Sequence, residues 1–122
     1  MNFTSFILCV NDIEAMSAWY RDVVGLKQNH NYDEFKGFIN LDGFFFNMVK
    51  RKYGGNPEHP QINNTMNMGF SVANVEDVDT QYNRLIKAGA KSYKPPEIDG
   101  IFKEASVTDP EGNIIYIVAV KE

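Results

Sequence analysis

Four polar residues lie within short apolar segments of the sequence, where they could contact a ligand. Ser5, Asn47, Asn67 and Tyr116 each have apolar neighbours on one or both sides. Because side chains of a β-strand alternate between its faces, we expect these residues and Phe45 to share the face turned away from the core. Their hydroxyl, amide and phenol groups suit hydrogen bonding to an uncharged or weakly charged organic molecule. Alternatively, they satisfy one another or bind buried water.

An internal repeat relates the four positions. A shift of 62 residues places Ser5 on Asn67, and a shift of 69 places Asn47 on Tyr116. The same shifts align apolar helix positions and turn residues, so each half has the order strand, helix and three strands. Each half must bury one face of its sheet, and two facing halves would leave a cup between them. Ligand sites favour such internal interfaces.

Other residues with chemically useful side chains each have a simpler interpretation. Glu104 follows Lys103 on the penultimate strand and is either an exposed strand charge or a carboxylate able to act as a base or to meet a cation. His30 is either an exposed histidine at a sheet edge or a general base. Cys9 is expected to be a buried, inert thiol. His59 lies in a proline-rich segment and is expected to be solvated.

The first half begins with a strand at 3–10 and a helix at 12–24. Asn11 and Glu14 have the spacing of a capping box, and Gly25 stands where a C-terminal glycine would end the helix. Strands follow at 26–32, 35–41 and 44–50, and the Asp-Gly pair before the last strand predicts a hairpin.

The second half repeats this order. Asn74 is expected to cap a helix at 75–88, and Gly89 to end it. Pro95 and Pro96 predict a break after a short strand at 91–94. The remaining predicted segments are a strand at 66–73, a strand at 102–108, a turn at 109–113 and a final strand at 114–120.

Composition excludes several classes of protein. The chain has 122 residues, a net charge of −4, one Cys and two His. The negative charge argues against nucleic acid or an anionic membrane as partner, because both require basic surfaces. One Cys allows no intrachain disulfide. No apolar run approaches the length needed to span a bilayer, and the first residues lack a signal-peptide pattern, so we expect a cytoplasmic protein.

Three segments resemble the motifs of a known family. Residues 19–26 are similar to the end of its first helix, and residues 78–90 to its second helix and glycine stop. Residues 109–113, Asp-Pro-Glu-Gly-Asn, resemble its characteristic turn before an apolar strand. The family is the vicinal oxygen chelate superfamily, which comprises glyoxalases, bleomycin-resistance proteins and extradiol dioxygenases.

The resemblance implies an α+β fold. Two βαβββ modules would form a curved mixed sheet around a cup, with the helices on the outer face. A single glyoxalase/bleomycin-resistance-type domain would cover residues 1–122, with module one at about 1–53, a connecting loop at about 54–64 and module two at about 65–122. The family also leads us to expect a homodimer.

In the family's metalloenzymes, His and Glu on the first and last strand of each module hold a divalent ion. By resemblance, those positions fall on Ser5, Asn47, Asn67 and Tyr116. Divalent transition metals prefer imidazole, thiolate or carboxylate ligands, and none of these four residues supplies one. We therefore expect no metal ion and no other cofactor.

The leading hypothesis is a metal-independent protein that binds a small organic molecule in the cup. Its predicted ligand-binding residues are Ser5, Asn47, Asn67, Tyr116, Phe45 and Glu104. The alternative is a metal-dependent lyase, isomerase or dioxygenase of the same superfamily, with the metal held by residues such as Glu104 or His30. Catalytic residues are otherwise unassigned. A third hypothesis is a partner-binding domain with a vestigial cup.

Overall fold

The computed structural model describes Met1 and residues 5–39, 45–51 and 67–121. The chain divides into two compact units, Met1–Pro60 and Gln61–Glu122, which are called module one and module two and are described separately. The predicted connecting loop at 54–64 lies outside the described residues, as does the predicted hairpin turn at Asp42-Gly43.

Each module has the predicted order of strand, helix and three strands. Module one contains β1 (Ser5–Val10), α1 (Ile13–Trp19), β2 (Lys27–Asn31), β3 (Phe35–Ile39) and β4 (Phe45–Lys50). Module two contains β5 (Met68–Ser71), α2 (Val75–Lys87), β6 (Lys91–Asp99), β7 (Phe102–Thr108) and β8 (Ile114–Val120). The sheets are ordered β1-β4-β3-β2 and β5-β8-β7-β6. In module one β1 is parallel to β4, and in module two β5 is parallel to β8.

Strand register confirms the internal repeat. In module one, Ile7 pairs with Asn47 across β1 and β4. In module two, Gly69 pairs with Tyr116 across β5 and β8. The shifts of 62 and 69 residues convert one pair into the other, so the two sheets share one pairing scheme.

The start of α1 differs from the prediction by one residue. Asp12, not Asn11, caps the helix, and its carboxylate accepts a hydrogen bond from the Ala15 N–H at 3.0 Å. The Asn11 side chain instead accepts from Arg51 Nε at 3.0 Å. Glu14 forms no capping box and pairs with Lys36 at 3.0 Å. Both candidate caps are good acceptors, and a long-range partner for Asn11 decides between them.

The end of the first helix also differs from the prediction. Regular α-helix stops at Trp19, and a π-helical turn covers Tyr20–Val24. The Tyr20 carbonyl accepts hydrogen bonds from the N–H groups of Gly25 and Leu26, at 3.1 and 3.0 Å. Gly25 has a φ of 93°, as a terminating glycine requires.

Module one buries the side of its sheet that faces α1. The Phe46 ring lies 5.2 Å from Tyr20, 5.6 Å from Phe38 and 6.0 Å from Phe6, measured between ring centroids. Tyr20 and Phe38 are fully buried. Burial of each such side chain contributes about 1.5–3 kcal/mol, so this aromatic cluster is a main source of stability for the module.

Module two is built in the same way around α2, which packs on β6, β7 and β8. Val78 and Leu85 form its buried stripe. Asn74 is the N-cap residue, as predicted, and the Asp77 carboxylate accepts from its backbone N–H, which is one half of a capping box, and from its side-chain amide. Among the helices that the structure describes, none has the length and apolar character needed to cross a membrane.

The predicted end of β6 at Lys94 is wrong. The strand continues through Pro95 and Pro96 to Asp99. It lies at the edge of its sheet, with a neighbouring strand on one side only. Proline is tolerated there because its missing N–H can lie on the unpaired side. Its pairing with β7 shifts twice, between Ser92 and Lys94 and between Lys94 and Glu97. Both shifts are β-bulges, and the second contains the two prolines.

The predicted turn before β8 is confirmed. The Asp109 carboxylate accepts from the N–H groups of Glu111 and Asn113, each at 2.9 Å, and from the Asn113 amide at 2.8 Å. Gly112 has a φ of 87°, which glycine adopts without strain. Asp109 is 4% exposed, so these hydrogen bonds form away from bulk water.

Candidate functional site

Each sheet has a second face, opposite its helix, which we call the open face of that module. On the open face of module one, Ser5, Phe45 and Asn47 lie together, as their positions in alternating strands predict. They line a pocket of about 370 Å³. Phe45 is 43% exposed, whereas Met48, on the helix side of the same strand, is fully buried.

His30, Tyr32 and Phe35 complete the pocket of module one. The His30 ring stacks on Tyr32 with centroids 6.1 Å apart, and Phe35 lies 6.4 Å from His30. His30 is exposed, as expected, yet it belongs to the pocket lining, which the sequence interpretation did not predict. The signal for it was Gly37 in a strand, because such a glycine often marks a close approach by another group.

Gly37 makes room for His30. A Cβ at Gly37 would lie 2.8 Å from Asn29 Oδ1 and 3.1 Å from His30 Cδ2. The pairing of β2 with β3 shifts between Gln28 and His30, which is a bulge at the sheet edge. The bulge and the glycine together place the imidazole over β3.

The open face of module two carries the other predicted residues. Asn67, Glu104 and Tyr116 line a pocket of about 170 Å³. The lining also contains side chains that the sequence interpretation missed: Tyr93, Lys94, Glu97, Ala105, Ser106 and Ile114. Tyr93, Lys94 and Glu97 belong to β6, and Glu97 lies beyond the predicted end of that strand at Lys94.

Tyr116 takes its position from Gly69. A Cβ at Gly69 would lie 2.4 Å from Tyr116 Cζ and 2.5 Å from its hydroxyl oxygen, closer than any real contact allows. The phenol ring therefore lies directly over the glycine of the neighbouring strand. This arrangement holds the Tyr116 hydroxyl on the open face of β5 and β8.

Glu104 and Lys103 point to opposite sides of β7. Lys103 forms an ion pair with Asp79 of α2, on the helix side. Glu104 lines the pocket and lies in register with Glu97 of β6. The exposed-charge interpretation of Glu104 therefore fits less well than a place in the pocket wall, because its side chain is only partly exposed.

Polar side chains in both pockets have unused hydrogen-bonding capacity. In module one, no hydrogen bond to a described residue involves the Ser5 hydroxyl or the Asn47 amide. In module two, the same holds for Ser106 and Tyr116. Mutual pairing of these groups, the alternative considered above, does not occur within the described part of either module.

The donor set does not fit the divalent metal of the family's metalloenzymes. The four predicted positions present hydroxyl, amide and phenol oxygens, whereas such metals bind imidazole, thiolate or carboxylate groups. Across residues 5–39, 45–51 and 67–121, no group of three or more His, Cys, Asp or Glu side chains is arranged to hold a metal ion.

The sequence of the chain matches one known protein family. A family model described as the glyoxalase/bleomycin resistance protein/dioxygenase superfamily matches residues 2–117. A search of curated protein sequences finds no match.

Several solved structures are similar to this chain over nearly its whole length. A glyoxalase/bleomycin resistance protein/dioxygenase from Nocardioides gives a TM-score of 0.83 at 21% identity, covering 100% of this chain and 85% of that one. Lactoylglutathione lyase from Agrobacterium tumefaciens gives 0.79 at 16% identity, with coverages of 97% and 92%. TnmS3, described as an antibiotic binding protein from Streptomyces sp. CB03234, gives 0.77 at 16% identity, with coverages of 99% and 97%. At such identities the similarity shows the fold alone, and it confirms the predicted α+β class.

Proposed function

Because the chain belongs to the glyoxalase/bleomycin resistance protein/dioxygenase superfamily, as its motifs predicted, we propose that it binds a small organic molecule without a metal ion. The observation that carries the proposal is a set of polar groups among aromatic side chains on the open faces, which bond to no described residue. Ligand pockets typically combine apolar walls with a few polar groups that fix orientation.

The chemistry of module one supports contact with an apolar or aromatic part of a ligand. Phe35, Phe45, Tyr32 and His30 provide ring surfaces in its pocket. Partly exposed rings of this kind gain stability when an apolar group covers them. The Asn47 amide supplies a donor and an acceptor at the base of this surface.

Metal independence is supported by the donor set described above. Binding of a small molecule is compatible with the fold, since TnmS3, which shares it, is described as an antibiotic binding protein. Lactoylglutathione lyase shares the fold too, so the fold itself does not separate binding from catalysis. The proposal therefore rests on the residues at the four strand positions.

The proposal is tested by a thermal-shift screen of small molecules against protein treated with a chelator. A binding compound stabilises the folded state in proportion to its saturation. We expect Tyr116→Phe and Asn47→Leu to weaken such a shift, because each removes a polar contact while keeping most of the side-chain volume. The Tyr116 variant has a matched control in Tyr82→Phe, since the Tyr82 hydroxyl bonds to Ser92 Oγ at 2.6 Å and belongs to neither pocket lining.

Two results would contradict the proposal. One is a screen in which no compound shifts the melting temperature of the wild-type protein. The other is a stoichiometric divalent ion in the purified protein whose removal abolishes compound binding, which would favour the metal-dependent enzyme instead.

A further inference from the structure

We infer that the pocket of module two takes a small organic cation, such as a primary amine or a guanidinium group. The inference rests on the proposed function and names the ligand class for one of the two pockets. It depends on Glu97 and Glu104, on the hydroxyl of Ser106, and on two tyrosine rings.

Two glutamates face each other across adjacent strands. Glu97 of β6 and Glu104 of β7 are register partners on adjacent antiparallel strands, and both line the pocket. Like charges at such a cross-strand pair are destabilising. No ion pair or hydrogen bond connects either carboxylate to a described residue. A cation placed between them would remove this repulsion and gain two charge-assisted hydrogen bonds.

A bulge at the prolines creates this arrangement. Lys94 pairs with Ser106 and Glu97 with Glu104, so three steps along β6 correspond to two along β7. In a regular strand, residues three apart point to opposite faces. The bulge turns Lys94 and Glu97 to the same face, and bulges at sheet edges commonly re-aim side chains at binding sites.

The hydroxyl of a nearly buried side chain in the pocket is an independent sign of a ligand. Ser106 is 6% exposed and lines the pocket, and its hydroxyl has no hydrogen-bond partner in the described part of module two. The hydroxyl oxygen is not sealed in the core, so a ligand in the pocket can reach it. An ammonium or guanidinium N–H beside Glu104 would provide the donor that the Ser106 oxygen lacks.

The remaining lining suits a single positive charge. Tyr93 and Tyr116 present aromatic rings, whose faces attract cations. The lining contains two carboxylates and one ammonium group, that of Lys94, so one negative charge is left uncompensated. A ligand with one positive charge restores neutrality. An anion would find only Lys94 and would face both carboxylates.

The test uses three probes of similar size that differ in charge: benzylamine, benzyl alcohol and benzoate. Each is titrated into the whole protein at neutral pH and followed by amide NMR shifts. We expect benzylamine to bind about tenfold more tightly than benzyl alcohol, with the largest shifts on β6 and β7, and benzoate not to saturate. Raising the ionic strength should weaken benzylamine binding and leave benzyl alcohol unchanged.

Three variants locate the charge effect. Glu97→Gln and Glu104→Gln should each weaken benzylamine binding by about five- to tenfold while benzyl alcohol binding stays the same. Glu76→Gln is the matched control, because Glu76 is exposed on α2 and lies outside the pocket lining. Benzyl alcohol binding in each variant also reports that the pocket is still folded.

Several outcomes would overturn the inference. They are benzoate binding that depends on Lys94, equal affinity for the amine and the alcohol, and unchanged benzylamine affinity in both glutamate variants. Equal affinity for amine and alcohol, with loss of both in Tyr116→Phe, would overturn the cation while leaving the proposed function intact. Failure of every compound in the broader screen would overturn the proposed function itself.

Discussion

The open faces of the two modules share one strand register but differ in chemistry. In each sheet, one row of register partners crosses all the strands. In module one the row reads Ile7, Asn47, Gly37 and His30, and in module two it reads Gly69, Tyr116, Ser106 and Lys94. Large and small residues exchange places between the two rows. A repeated backbone can therefore carry two different binding surfaces.

The position of the glycine decides which side chain lies over the sheet. In module two, Gly69 is on the first strand, and Tyr116 of the last strand covers it. In module one, Gly37 is on β3, and His30 at the sheet edge covers it. Glu104 occupies the repeat position of Phe35, so module two gains a charge where module one has an aromatic ring.

The largest effect is expected when the glycine of module two is replaced by a residue with a Cβ. A Cβ at Gly69 would lie 2.4 Å from Tyr116 Cζ, so Gly69→Ala forces the phenol ring off the strand. Gly69 is exposed and the Tyr116 ring can swing away, so we expect a loss at the lower end of the about 1–3 kcal/mol that overpacking costs, measured by urea unfolding. Compound binding to module two should be lost as well, because the Tyr116 hydroxyl leaves its position.

The control for this variant restores the combination found in module one. Gly69→Ala together with Tyr116→Asn replaces the ring by the residue that Asn47 provides in the repeat, and it should recover most of the lost stability. If the double variant is as unstable as Gly69→Ala alone, the contact between Gly69 and Tyr116 is not the cause of the loss.

The matching substitution in module one should have a smaller effect. Gly37→Ala would bring its Cβ to 2.8 Å from Asn29 Oδ1 and 3.1 Å from His30 Cδ2. These groups are exposed on an edge strand and can move outward, so we expect less than about 1 kcal/mol of destabilisation. The His30 signals should shift in NMR spectra. A loss of unfolding free energy as large as that of Gly69→Ala would contradict this prediction, because it would show that His30 cannot move outward.

Much of this comparison follows from the sequence, because the alternation of apolar and polar residues sets the faces of central strands. Asn47 and Tyr116 lie on central strands, where alternation and the repeat predict the face that each side chain takes. The predicted family, helix positions and final turn follow from equally local signals: capping residues, terminal glycines and the Asp109–Asn113 turn.

The edge strands could not be predicted in this way. A bulge shifts every later side chain to the other face, and whether one forms depends on the packing of the neighbouring strand. Pro95 and Pro96 indicated an end of β6, whereas an edge strand accommodates them at a bulge. Lys94 and Glu97 therefore line their pocket without a clear local signal in the sequence, whereas Gly37 on the neighbouring strand is the signal for His30.

The smallest expected effect tests the electrostatic difference between the modules without any ligand. Because Glu97 and Glu104 repel each other across β6 and β7, Glu97→Gln and Glu104→Gln should each raise the free energy of unfolding by about 0.2–1 kcal/mol. The double variant should gain little more than either single one, because neutralising one carboxylate already removes the repulsion. Urea unfolding of the four proteins measures this coupling, with Asp33→Asn as the control for net charge, because Asp33 is exposed in module one and lies outside both helices. Gains that simply add would show that the two carboxylates do not interact. The predicted non-additive gain would show that module two tolerates a destabilising charge pair, as proteins often do where a site serves binding rather than stability.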